Sequence, residues 1–159
     1  MSAQWLTADE ESAWRRLVAV VELLPGVLDS QLRAEAGLTH FEYFVLAMLS
    51  EAPERTLRMT ALAEQTNATL PRLSHVIRRL EGRDLVERFP CSQDGRATNS
   101  RLTSLGWDTV VAAAPGHVET VRRNVIAPLT SIQVEQLHDI AQAMLIQLDP
   151  DGKMPGLTR

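Results

Sequence analysis

The chain has 159 residues, 45% of them hydrophobic, 4% aromatic and 23% charged, with a formal net charge of −4. That is enough apolar material for one ordinary domain carrying helical extensions, and too much for a disordered chain. A single cysteine, Cys91, excludes an intrachain disulfide framework and fits a reducing cytoplasm. Residues 1–9 lack the basic and apolar regions of a signal peptide, and the longest apolar runs fall far short of a membrane span.

The first helical pattern covers residues 10–36, with Trp14, Leu17, Val18, Val21, Leu24 and Leu28 recurring at spacings of three and four. Pro25-Gly26 predicts a kink within it, and Gly37 a stop. A second helix spans residues 39–51, opened by the capping box Thr39/Glu42 and burying Phe41, Phe44, Val45, Met48 and Leu49. Leu57, Arg58 and Met59 read as a short extended connector. A third helix covers residues 60–65 with Thr60 as its cap, and residues 66–68 form a turn. The fourth helix, residues 69–83, has Thr69 as N-cap and Pro71 in its first turn. Two strands follow at residues 85–89 and 98–102, joined by a loop whose turn is Asp94-Gly95. A helix opens at Thr103 and is interrupted at Pro115-Gly116; the last opens at Thr130 with Gln133 completing a capping box. Residues 149–156 are turn-rich and read as a frayed tail.

The fourth helix has two opposite faces. Leu73, Val76, Ile77 and Leu80 form a core stripe, while Arg72, His75 and Arg79, flanked by Pro71, Ser74 and Arg78, face away from it. Arg can bridge guanine O6 and N7, and Ser and His can reach base edges or phosphates. The charge distribution agrees: residues 55–103 hold nine arginines and five acids, net +4, leaving the remainder at −8. Such a basic island points to a local polyanion contact. Arg96, at the hairpin tip, suits a narrow minor groove, with Asp94 either holding its guanidinium or capping the loop backbone. The layout is that of a mainly α fold: a winged helix-turn-helix with a two-stranded β-wing and N- and C-terminal dimerisation helices.

The run from Asp94 to Thr103 resembles the D-x-R-x-x-x-x-x-L-T wing signature of the MarR family of bacterial transcriptional regulators. The flanks agree: Met59-Thr60-Ala61-Leu62-Ala63 is similar to the family's third-helix entry, and the segment from Leu73 to Glu81 to its recognition helix. The resemblance implies a homodimeric regulator, often a repressor released by a small phenolic or other anionic ligand. It also implies major-groove contacts at Thr69, Arg72, Ser74, His75 and Arg79, and a wing contact at Asp94 and Arg96. The expected organisation is an N-terminal dimerisation helix (1–38), a DNA-binding domain (39–103), C-terminal dimerisation helices (104–149) and a flexible tail (150–159).

Trp14, Leu17, Val21, Leu129, Leu137, Ile140 and Met144 are candidates for buried or interface positions, since one small winged domain cannot cover the apolar faces of the terminal helices. At the junction of those helices with the winged domain, His40, Tyr43, Trp14 and Arg15 offer polar and stacking groups to a small aromatic acid; simple packing and capping is the plainer reading. The four histidines form no His/Cys cluster at metal-ligand spacing, and neither metal nor cofactor is expected. No phosphate loop, H-E-x-x-H or G-x-S-x-G motif suggests an enzyme. Two alternatives remain: a winged helix used only for protein contacts, and a redox-responsive regulator using Cys91, whose neighbours Arg88 and Arg96 would favour a thiolate. The sequence names no operator, regulated gene or effector.

Overall fold

Five of the six α-helices open on a threonine whose hydroxyl accepts a first-turn backbone N–H: Thr7, Thr39, Thr69, Thr103 and Thr130. At Thr7, Thr39 and Thr130 the reciprocal carboxylate or amide bond completes a capping box. The computed structural model describes residues 4–155; the first three residues of the expected N-terminal segment and the last four of the expected tail lie outside them. In chain order the elements are α1 (Ala8–Ala36), α2 (His40–Glu51), β1 (Thr56–Arg58), α3 (Met59–Gln65), α4 (Leu70–Glu81), β2 (Val86–Pro90), β3 (Thr98–Leu102), α5 (Ser104–Val121) and α6 (Ser131–Leu148).

The winged domain is built on an antiparallel sheet of order β1-β3-β2. The connector read as merely extended is therefore a third strand: Leu57 pairs with Ser100 and Arg58 with Asn99. This also moves the start of α3. Arg58 ends the strand in an extended conformation and serves as the helix N-cap without a side-chain bond, so the helix begins at Met59 and Thr60 does not cap it. The wing pairs Val86 with Leu102 and Arg88 with Ser100. Alternation along β3 turns Ser100 and Leu102 into the core.

The core gathers Leu32 and Leu38, then Val45, Leu46 and Leu49 of α2, Leu62 of α3, Leu73, Val76, Ile77 and Leu80 of α4, and Leu85, Val86 and Leu102 of the wing. The whole apolar stripe expected on α4 is buried. Gly37 takes a left-handed conformation at φ 63° and terminates α1, its carbonyl accepting from Arg83 Nη1 at 2.8 Å. Gly106 lies where α5 meets the Leu85 carbonyl, so close that a Cβ would overlap it.

The interruption expected at Pro115-Gly116 is absent: α5 runs unbroken through Pro115, as α1 does through Pro25. Each proline removes one ladder bond, which the remaining bonds of a long helix absorb. The departure from α-geometry comes later, in a π-helical stretch at Arg122–Ile126.

The terminal helices differ from the winged domain in burial. Only Leu28 and Leu32 of α1 are buried, and α6 buries no residue at all. Trp14, Leu17, Val21, Leu137 and Ile140 are exposed within the single chain, while Leu129 and Met144 are half-buried. The described part of the expected tail is turned back: Asp149 accepts the backbone N–H groups of Lys153 and Met154, and Lys153 Nζ reaches Glu64 of α3 at 3.6 Å.

Candidate nucleic-acid interface

The tight turn between α3 and α4 is held from within. Thr66 is buried and donates its hydroxyl to the Leu62 carbonyl at 2.7 Å, and Asn67 adopts a positive φ of 50°. The turn sends α4 across the surface with its apolar stripe inward. Thr69, Pro71, Arg72, His75, Arg78 and Arg79 are exposed on the other side, and Ser74 is partly so. Thr69 caps the Arg72 N–H at 3.3 Å.

Two of the arginines are seated on the first turn of α2. The Arg72 guanidinium lies 4.1 Å from the centroid of the Phe41 ring. Arg79 Nη2 is 3.0 Å from Glu42 Oε1, and Glu42 is only 2% exposed. By sequence Glu42 is a helix cap alone; the fold gives it this second role. Nothing in the 37-residue separation announces it; a carboxylate on the buried side of a helix start, with one oxygen left over, is the only trace.

The wing is braced against the same helix. Arg88 on β2 forks onto Glu81 at the end of α4, with Nε to Oε2 at 2.9 Å and its backbone N–H to Oε1 at 3.1 Å. In the loop, Asp94 Oδ1 accepts the backbone N–H of Arg96 at 3.1 Å, and the Asp94 carbonyl accepts from Ala97 at 2.9 Å. Of the two roles open to Asp94, the observed one is capping the loop, which leaves the Arg96 guanidinium exposed. A cleft of about 290 Å³ separates α4 from the wing, lined by Ser74 on one side and by Arg58, Arg88 and Arg96 among others. Arg58 was not foreseen as a wall of this cleft, because its place follows from the pairing of β1 with β3.

Cys91 is buried at the root of the loop, where Arg58 Nη2 approaches Sγ at 3.5 Å. The backbone N–H groups of Gln93 and Asp94, helped by Arg58, hold the thiol below its ordinary pKa.

A separate polar cluster lies where α1, α2 and α5 meet. The rings of His40 and His117 stack with centroids 6.2 Å apart, and Tyr43 packs against His117 at 4.6 Å. Asp29 Oδ1 accepts the His40 backbone N–H at 2.9 Å, and Gln31 donates to Glu35 at 2.8 Å. The Nδ1 atoms of both histidines and Oε1 of Gln31 are buried without a partner among the described residues. Burial lowers both imidazole pKa values, against the pull of Asp29 in the case of His40, and raises that of Tyr43. His40 and Tyr43 both meet His117 here. Their own chain does not bring Trp14 and Arg15 there. Both are exposed, Arg15 is paired with Glu11 at 2.6 Å, and Trp14 lies about 25 Å along α1 from Gln31 at 1.5 Å per residue. No group of three or more His, Cys, Asp or Glu among the described residues is arranged to hold a metal ion.

A helix-turn-helix whose second helix turns an arginine face outward, braced to a sheet with a basic loop at its tip, defines the winged helix-turn-helix class of DNA-binding proteins. The chain belongs to the MarR family of transcriptional regulators: that family's model matches residues 38–98. Over nearly its whole length the chain is similar to Sco3205 of Streptomyces coelicolor, a MarR family regulator whose crystal structure was solved in complex with DNA. Identity is 40%, coverage is 94% of this chain and 93% of that one, and the TM-score is 0.90. AbsC, a MarR family regulator of the same organism, is 36% identical over 92% of this chain and 98% of its own, with a TM-score of 0.86. An HTH-type transcriptional regulator of Bacillus subtilis, YdcH, is 34% identical over 86 residues; the match spans 52% of this chain and 57% of the relative. No helix among the described residues is long and apolar enough to cross a membrane.

Proposed function

We propose that the protein is a homodimeric transcriptional repressor, acting in the cytoplasm on a pseudo-palindromic operator, with one α4 helix entering the major groove of each half-site. The observation that carries this reading is the α4 surface: a buried apolar stripe backed by exposed Thr69, Pro71, Arg72, His75, Arg78 and Arg79 and the partly exposed Ser74, with Arg96 across the cleft. In this reading Asp94 orders the loop and Arg96 enters the neighbouring minor groove. Residues 39–103 serve as the DNA-binding domain, and residues 1–38 and 104–149 hold the dimer together.

The case for the dimer is the uncovered apolar surface. An 18-residue helix with only half-buried and exposed residues gains little from packing on its own chain. It forms, with the middle of α1, an apolar groove of about 550 Å³ lined by Val20, Leu23, Val27, Leu129, Leu137 and Ile140 among others. A second copy laying the same helices into that groove covers both. We further infer that a small aromatic or anionic ligand releases the operator by seating at the His40–Tyr43–His117 junction, where unpartnered ring nitrogens and aromatic faces meet.

A mobility-shift assay on random-sequence duplex DNA with a salt titration tests the core of this reading. Binding that weakens steeply with salt, plus enrichment of a pseudo-palindrome on selection, is the expected result. Absence of binding at low salt would refute it.

A further inference from the structure

The first turn of α2 has no place in the recognition surface, yet both outer arginines of α4 are anchored on it. Glu42 Oε2 accepts the Thr39 backbone N–H at 2.9 Å, which closes the capping box. Oε1, on a residue 2% exposed, is left to be satisfied by Arg79 Nη2 at 3.0 Å. A buried carboxylate needs a partner for both oxygens, so Arg79 is held by one edge of its fork. Its side chain nevertheless remains 54% exposed. One residue earlier, Phe41 supplies the ring beneath the Arg72 guanidinium. Arg72 and Arg79 are seven residues apart, about 10.5 Å along the helix.

We propose that Glu42 and Phe41 are positioning residues for DNA recognition, fixing the guanidinium planes of Arg79 and Arg72 so that each presents donors in one orientation. The proposal rests on α4 being the DNA-reading helix. A free arginine on an exposed helix face binds any nearby phosphate; one held at its inner edge offers a directed pair of donors, which is what bidentate base contact requires. Loss of the Glu42 charge releases a mobile cation. Discrimination then falls, while affinity for arbitrary sequence stays level or rises, with a salt dependence steeper by up to about one phosphate contact.

The test uses the full-length protein. Duplexes are enriched from a random pool by the wild type, and the ratio of affinities for the best duplex and a shuffled one is measured. Glu42→Gln keeps an oxygen for the Thr39 cap but removes the charge. The ratio should fall roughly tenfold, the loss of part of a bidentate contact, without weaker binding to the shuffled duplex. The same substitution in an Arg79→Ala background should leave the ratio unchanged. Phe41→Leu against Arg72→Ala gives a second cycle, which decides the matter if Glu42→Gln does not fold. Equal losses in both backgrounds would mean a structural role alone and overturn the proposal, as would an unchanged ratio in both cycles. If Arg79→Ala and Arg72→Ala leave the ratio intact, the positioning role is lost while DNA binding stands. If the wild type enriches no duplex, it is the functional reading that fails.

Discussion

Arg96 and Asp94 share a turn but divide its work. The carboxylate takes the backbone N–H of Arg96, so the loop stays closed whatever side chain stands at that position. Arg96→Ala should therefore weaken operator binding while the dimer and its melting temperature hold, within about 0.5 kcal/mol for an exposed site; mobility shift and thermal melting together check this. Arg72→Ala and Arg79→Ala should each cost roughly 1–3 kcal/mol of specific binding, with relaxed preference at one base, if the arginine reads a base; if it touches phosphate, binding falls evenly across sequences with a shallower salt slope. The two histidines lead to a prediction about pH. Burial depresses both imidazoles below the ordinary value of 6.5, so between the folded and unfolded values the unfolded chain binds more protons. Their contribution to stability is complete above about pH 6.5 and is lost as pH falls through the folded values. The melting temperature should drop from pH 7 to pH 5, and His40→Gln with His117→Gln should flatten that drop.

At the scale of elements, the recognition helix depends on its packing more than on its own propensity. Ile77 is fully buried under α4, and Ile77→Ala should destabilise by about 2–5 kcal/mol, measured by denaturant unfolding. The junction of α5 with the wing is tighter still. A Cβ on Gly106 would meet the Leu85 backbone carbonyl, which is part of the turn leading into β2 and also accepts the Thr103 N–H at 3.1 Å. Backbone cannot swing aside as a flexible side chain can. Gly106→Ala should cost about 1–3 kcal/mol or more, and because it displaces the wing relative to α4, DNA binding should fall with stability.

For the whole molecule the decisive quantity is apolar surface left uncovered by one chain. Leu137 and Ile140 are 40% and 57% exposed on α6. If the chain pairs through this face as proposed, a charge placed there, such as Ile140→Asp, should leave only monomer in sedimentation at micromolar concentration and abolish binding to an operator of paired half-sites. Release by a ligand must obey linkage. A compound that weakens operator binding binds more weakly when operator is present, by the same factor. Thermal-shift screening of aromatic acids with and without operator measures that factor directly.

Residue spacing was enough to mark out the helices, the wing and the arginine face of α4. Those features rest on local physics: threonine caps, a 3.6-residue apolar stripe over Leu73, Val76, Ile77 and Leu80, and the Asp94-Gly95 turn. Tertiary structure alone decided the rest. The connector at Leu57 became a strand because β3 offers it a partner, which no property of three residues encodes. The helices run on through Pro25 and Pro115, each at the loss of a single ladder bond within a long helix. His117 joined His40 and Tyr43, and Glu42 took hold of Arg79, through contacts between residues tens of positions apart. Such pairings are set by how helices cross in space. Local pattern fixes which side of a helix is buried, but not which side chain waits on the other side.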